Sequence, residues 1–218
     1  MSIKKSIILI IVGIIISGLI IVFNVGFNKD ILTREHLKMS ININKEFDNN
    51  DVKQIVKEVV GNEVEIQKTG DFEDQVVIST GNITDENRND IVNKLNEKYG
   101  TELTVDSIDE EVVPSARILD IVSRGIVSFV IATVIILVYF AIRYKKQGVL
   151  KVTLKTVASI VLTEIVVMSI VAILRIPVGQ NLNSIIFVTY GVSLFAITKI
   201  LEDKKQEMKI EETKSKKA

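Results

Sequence analysis

The sequence predicts an α-helical membrane protein of four transmembrane helices, with one extracytoplasmic α+β domain between the first helix and the second. Three observations predict it. Charged residues make up 25% and hydrophobic residues 47% of 218 residues, with a formal net charge of zero; the two fractions coexist only when they are segregated along the chain. Four apolar windows run over 6–28, 125–142, 156–174 and 176–198. Each is at or near the length of about 20 residues needed to cross roughly 30 Å of hydrocarbon. Between the first two windows the apolar period switches repeatedly between 2 and 3.6, the mark of alternating strands and helices. The chain divides accordingly into a first transmembrane helix (1–28), an outer domain (29–120), three further transmembrane helices (121–201) and a charged cytoplasmic tail (202–218).

Helices are the expected spanning form because lipid offers no partner to a bare backbone. In the first window Lys4 and Lys5 precede an apolar run from Ser6 to Phe23. That run exceeds a signal-peptide core and no A-x-A site follows it, so a retained anchor is expected. Gly13 and Ser17 form a small-xxx-small pair that would admit a neighbouring helix, although ordinary membrane-helix composition also accounts for it. Orientation follows from lysine and arginine near the spans. Lys4 and Lys5 precede the first; Arg143, Lys145, Lys146, Lys151 and Lys155 fill the loop between the second and third; Lys199, Lys204, Lys205, Lys209, Lys214, Lys216 and Lys217 follow the fourth. Four spans put all three groups on one side, so both termini are expected in the cytoplasm and residues 29–120 outside.

The outer segment carries 11 Lys plus Arg against 21 Asp plus Glu. An acidic exterior does not suit nucleic acid, where affinity depends on neutralising phosphates. The chain has no cysteine, so no disulfide supports the domain. HLKMSINI (36–43) alternates apolar and polar as a half-buried strand does. DNND (48–51) then supplies capping residues, and Val52, Ile55, Val56, Val59 and Val60 share one helical face up to Gly61. EVEIQKT (63–69) alternates again, Gly70-Asp71 turns the chain, and DQVVIST (74–80) makes a third strand. Thr84 and Asp85 open a second helix with Ile91, Val92, Leu95 and Tyr99 on one side, closed by Gly100. TELTVDSI (101–108) reads as the fourth strand. The order β-α-β-β-α-β is the ferredoxin-like plan, two helices over one face of an antiparallel sheet.

Nothing in this domain looks catalytic. His36 is the only histidine and reads as a plain surface or half-buried side chain. Asp109-Glu110-Glu111 reads as a solvated charge run. No phosphate-binding glycine loop or serine–histidine pair exists, so neither an enzyme nor a cofactor or metal site is expected. In the membrane windows the sharp candidate is Glu164. An ionisable group there marks an ion path or a buried pair, but a path needs several such groups. Two readings stay open: a protonated carboxyl bonded to a neighbouring Ser or Thr, and a proton or polar contact that depends on a partner.

One membrane helix, a ferredoxin-like outer domain and a block of membrane helices follow in an order that resembles SecF, the smaller partner of SecD in bacterial protein export. The resemblance is carried by EEVVPSARILDIVSRGIVSFVIATVIILVYFAIRYKK (110–146). Pro114-Ser115 matches the Pro-Ser pair after the family's last outer strand. Tyr139, Arg143 and Tyr144 match its Tyr-x-x-x-Arg-[Phe/Tyr] ending of the second span. ILRIPV (173–178), with Pro177, is similar to the family's outside turn between the third and fourth spans. The likeness extends over nearly the whole chain, weakest in the first 35 residues and best between 100 and 180.

The departures are specific. The family usually has six spans, and its Asp-Phe-x-Gly-Gly-Thr segment before the first outer strand is replaced by FNKDILTREHLK. Counted without gaps from Pro177, Gly191 and Ser193 fall on the Gly and Ser of the family's Gly-Tyr-Ser-x-Asn-Asp stretch. Phe195 and Ala196 stand at its Asn-Asp. Glu202 falls on the Asp of Phe-Asp-Arg, with Asp203 in place of Arg. The third span's usual His-Asp falls on Leu162 and Thr163, one place before Glu164. The resemblance implies a bacterial cell-membrane subunit working with a SecD-like chain and a SecYEG-type translocase on unfolded exported polypeptide, in contact with membrane lipid. It does not imply proton coupling by this chain itself. The rival readings are a non-transport scaffold or regulator whose outer domain binds an envelope protein, and a degenerate remnant without function.

Overall fold

The computed structural model describes residues 3–61, 63–70 and 74–215. The chain forms two units, one of residues 29–117 and one of residues 1–28 and 118–218.

In the first unit, β1 (His36–Asn42), α2 (Asn49–Val60), β2 (Val64–Thr69), β3 (Gln75–Thr80), α3 (Asp85–Tyr99) and β4 (Ile108–Val113) follow one another. The sheet order is β2-β3-β1-β4, and every neighbouring pair is antiparallel. The alternation in β1 turns Leu37, Met39 and Ile41 inward, and Met39 lies opposite Ile78 of β3. Val52 and Val56 of α2 and Ile91 and Leu95 of α3 close over them, all at 0% exposure. Each such side chain contributes roughly 1.5–3 kcal/mol relative to exposure. The helix ends follow local chemistry. Asp48 caps α2 by accepting from the amides of Asn50 and Asp51, and Thr84 caps α3 by accepting from Asn87 N. Both helices stop at glycines in the left-handed region, Gly61 at φ 67° and Gly100 at φ 60°. Gly70, at φ 88°, begins the turn after β2, while Asp71 lies outside the described residues.

The fourth strand is not TELTVDSI. Residues 101–104 are irregular, Val105–Ser107 is a 3₁₀ turn, and pairing with β1 starts at Ile108. Asn96 is the reason. Its side-chain oxygen accepts from Leu103 N and Thr101 Oγ1, both at 2.7 Å, and its amide donates to Leu103 O at 2.9 Å. That clasp curls the chain while Leu103 still packs on the core. The strand therefore contains the acidic run 109–111, which is solvent-exposed as the sequence suggested but lies on a strand. Glu110 takes two hydrogen bonds from Arg88 at 2.6 and 3.0 Å, and this pairing raises the guanidinium above its ordinary value. A charged edge also discourages pairing with another chain. His36 is buried, at 6% exposure, and its Nδ1–H donates to Arg34 O at 2.9 Å.

The second unit holds α1 (Ile3–Asn24), α4 (Ile118–Arg143), α5 (Val149–Ile173) and α6 (Leu182–Ser215). All four are long and apolar enough to cross a membrane, which fits a multi-pass membrane protein. The helices outrun their apolar windows, because charged residues near the interface still favour helix. α4 begins at Ile118, so Asp120 and Arg124 are helical. α5 begins at Val149, so Lys151 and Lys155 sit on helix, and the connection is only residues 144–148. α6 begins later than its window, at Leu182, and continues through the charged tail to Ser215; Lys216 and Lys217 lie outside the described residues.

α5 packs against the other three helices. Its contact with α1 is made at Gly18, where an added Cβ would stand 2.6 Å from Ser169 Cα, not at the pair Gly13 and Ser17, which are exposed. The α5–α6 turn opens with Arg175 at φ 54°, a strained conformation for a residue with a Cβ. Its side chain has a use there, donating to Gly26 O at 2.6 Å, while Val178 N donates to Asn28 O at 2.8 Å. The end of α1 is thereby tied to the turn.

Candidate functional site

Glu164 lies near the middle of α5. Val152, Thr156 and Ile160 precede it at four-residue steps, and Val167 and Val171 continue the stripe. Below it, Val152 joins Phe140, Tyr144, Ile197 and Leu201; beyond it, Val167 and Val171 join Val178, Leu182 and Ile186. The carboxyl is thus flanked along its helix by two apolar clusters. Both its oxygens are buried and have no hydrogen-bond partner among the described residues. The expected bond to a neighbouring hydroxyl is not made. Thr163 donates to Ser159 O at 2.7 Å, Thr156 to Val152 O at 2.9 Å and Ser169 to Ile165 O at 2.7 Å. A hydroxyl on a helix commonly donates to the carbonyl one turn back, so these three do not donate to Glu164. An unpaired buried carboxyl is costly.

Most positions that match the polar stretches of the resembled family are exposed. Phe195 is 75% exposed and Ala196 is also exposed, on the outward side of α6. Leu162 is exposed too. Gly191 is exposed with open space where a Cβ would go, so close packing does not require glycine there. Ser193 is buried, but its hydroxyl donates to Tyr190 O at 2.8 Å. Polar contacts between α4 and α6 include a 3.2 Å hydrogen bond between Thr133 and the Tyr190 hydroxyl, whose ring lies 4.7 Å from that of Phe129, and a 2.9 Å bond from Asn183 Nδ2 to Ile121 O.

Three of the other singled-out residues do meet. Arg143 ends α4 and donates from Nη2 to Glu202 Oε2 at 3.2 Å. Tyr139, one turn earlier, offers its ring face to the same guanidinium at 5.9 Å. The centre of the group is Tyr144, 1% exposed, whose hydroxyl donates to Glu202 Oε2 at 3.1 Å. Burial raises this phenol above its ordinary value, so it stays protonated and donates. In the sequence Tyr144 is only the last letter of a pattern. Gln147, which donates to Leu201 O at 2.6 Å, carries no sequence signal at all.

Pro114 and Ser115 follow β4, both exposed. Ser115 Oγ accepts from Lys29 Nζ at 2.7 Å, and Ala116 N donates to Thr33 O at 2.8 Å, so the two ends of the strand-bearing unit are held together. Pro177 sits exposed in the α5–α6 turn and accepts from Asn181 Nδ2 at 3.3 Å.

By sequence, neither a protein-family model nor a curated protein matches the chain. By structure, the chain is similar to a solved structure described as the crystal structure of SecDF in a super-membrane-facing form, with a TM-score of 0.56 and 15% identity. The match covers 94% of this chain and 28% of that one, so nearly the whole chain is similar in fold to a part of SecDF.

Proposed function

We propose that the chain is a SecF-like subunit that assists protein export with a SecD-like partner at a SecYEG-type translocase. The observation that carries this reading is the likeness to SecDF over 94% of the chain. The Pro114-Ser115 and Tyr139–Tyr144 matches support it from the sequence, and the strand order β2-β3-β1-β4 agrees with a ferredoxin-like outer domain. In this reading residues 29–120 lie outside and both termini lie in the cytoplasm of a bacterial cell, following the lysine distribution. The reading includes no enzymatic step. Proton coupling, where it occurs, belongs to a partner chain, because Glu164 has no second ionisable group within hydrogen-bond reach among the described residues.

Affinity purification from native membranes in mild detergent tests it. Recovery of SecD-like and translocase chains is the expected result. Recovery of an unrelated envelope protein, with Sec components absent, would replace the proposal with the scaffold reading. Glu164→Leu sharpens the test. It removes no hydrogen bond present in this chain, so the stability of the isolated chain should not fall. If a partner uses the carboxyl, the same variant lowers co-purification, by an amount set by a membrane hydrogen bond averaging about 0.6 kcal/mol.

A further inference from the structure

Where α4 gives way to α5, the chain makes a short basic turn against the distal half of α6. Ile142, Tyr144 and Met208 form an apolar floor, and Lys145, Lys205 and Lys209 stand around it. The neighbouring cations Arg143 and Lys146 are already paired, with Glu202 at 3.2 Å and Glu212 at 3.0 Å. Lys145, Lys205 and Lys209 have no carboxylate within ion-pair distance among the described residues; Lys205 lies over the Tyr144 ring at 5.6 Å. Ile142 of the pocket wall continues, with Ile135 and Val138, an exposed apolar stripe of α4 at helical spacing. This is a concave site with a cationic rim and an apolar floor, continuous through Ile142 with an apolar stripe along a membrane helix.

We propose that this pocket binds an anionic glycerophospholipid, its phosphodiester held by Lys145, Lys205 and Lys209 and one acyl chain lying along Ile135, Val138 and Ile142. The chemistry favours a lipid over a free anion. Lysines give a phosphate point charges without the bidentate fork that would fix a small anion alone, whereas the adjoining stripe supplies apolar contact that only a lipid can use. Basic pockets at the ends of membrane helices are suited to anionic headgroups, and each lysine near the surface strengthens the attraction. The site goes beyond export and stands whether or not the chain joins a Sec complex.

The test uses the full chain, purified in mild detergent and titrated with phosphatidylglycerol while lipid adducts are followed by native mass spectrometry. Phosphatidylcholine and inorganic phosphate serve as the comparison probes. Phosphatidylglycerol should bind in preference to both. Lys205→Gln with Lys209→Gln should weaken it about thirtyfold, and Lys145→Gln alone about fivefold. Lys145→Gln touches neither ion pair nor the Tyr144 ring, so its effect reads the site without disturbing the fold. Lys199→Gln with Lys214→Gln removes the same charge from parts of α6 that do not line the pocket, and should leave binding unchanged. Equal weakening in that control would reduce the effect to general surface charge and overturn the proposal. So would equal binding of phosphatidylcholine, and displacement by inorganic phosphate at the concentrations at which phosphatidylglycerol binds would make this a free-anion site.

Discussion

In the strand-bearing unit the most apolar faces are the buried ones: Val52, Val56, Ile91 and Leu95 are fully covered. In the helical unit apolar side chains stand on the exposed faces as well as the buried ones. Ile8, Leu9, Ile131 and Ile135 are more than half exposed, while the buried contacts of α5 and α6 include Thr156, Ser169, Thr189 and Ser193. In water, apolar area drives burial. In lipid the tails are as apolar as leucine, so helices associate through close packing of small residues and through polar contacts. One chain therefore follows two different rules of assembly, and a substitution has opposite meaning in the two units.

That contrast can be broken most forcefully at Val56. In residues 29–117 expressed alone, Val56→Asp places a carboxylate in a fully covered position, at a cost of about 3–5 kcal/mol. A unit of this size has little more than that in reserve, and the cooperative thermal transition should disappear; its persistence would show that α2 does not pack by this face.

Gly18 is the counterpart in the helical unit. Gly18→Leu adds apolar surface to an already apolar helix, yet it should destabilise by about 1–3 kcal/mol because Ser169 occupies the space. The thermal midpoint of the full chain in detergent measures this, and Gly13→Leu, facing open space, should leave it unchanged. Equal effects would mean that composition, not the contact at Gly18, sets the association of α1 with α5.

A smaller effect is expected at Tyr144. Tyr144→Phe keeps the packing against Phe140 and Leu201 and removes the hydrogen bond to Glu202, for about 1 kcal/mol. A double-mutant cycle with Glu202→Ala should show most of that loss to be shared.

The smallest concerns acid. Lys94, and secondarily Gln54, hold the Glu58 carboxyl below its ordinary value of 4.5 by hydrogen bonding. Its contribution is present above that value and declines as pH falls through the lowered one. Glu58→Gln should flatten a slight loss of stability of residues 29–117 on acidification, measured by denaturant midpoints between neutral and acid pH.

The same contrast explains what could be read in advance. Both helices of the strand-bearing unit, with caps and stops, follow from Asp48, Gly61, Thr84 and Gly100, because short-range chemistry decides helix ends. The fourth strand could not be placed. TELTVDSI and IDEEVV are both credible strands, and the choice rests on the Asn96 side chain, seven residues from Leu103, whose reach no periodicity reports. In the membrane the existence of spans was legible from length, but their contact faces were not. Gly18, not Gly13, meets α5, and uniformly apolar helices give no stripe to follow. Of the candidate residues, Arg143 and Glu202 converge across 59 positions, which only the antiparallel return of α5 makes possible. Glu164 stands out by charge alone; that its neighbouring hydroxyls are already satisfied could not be seen without coordinates.

α6 runs unbroken for 34 residues, about 51 Å at the rise of a helix and so well beyond a hydrocarbon layer of roughly 30 Å. An uninterrupted helix transmits torsion. The azimuth of Lys205, Lys209 and Glu212 is geared to that of Tyr190, Ser193 and Ile197 inside the bundle. Inserting a single residue after Glu202 would turn everything beyond it by about 100°, swinging Glu212 away from Lys146 while leaving the membrane-embedded stripe untouched. The charged end of this chain is phased to its membrane core like the bit of a key to its shaft.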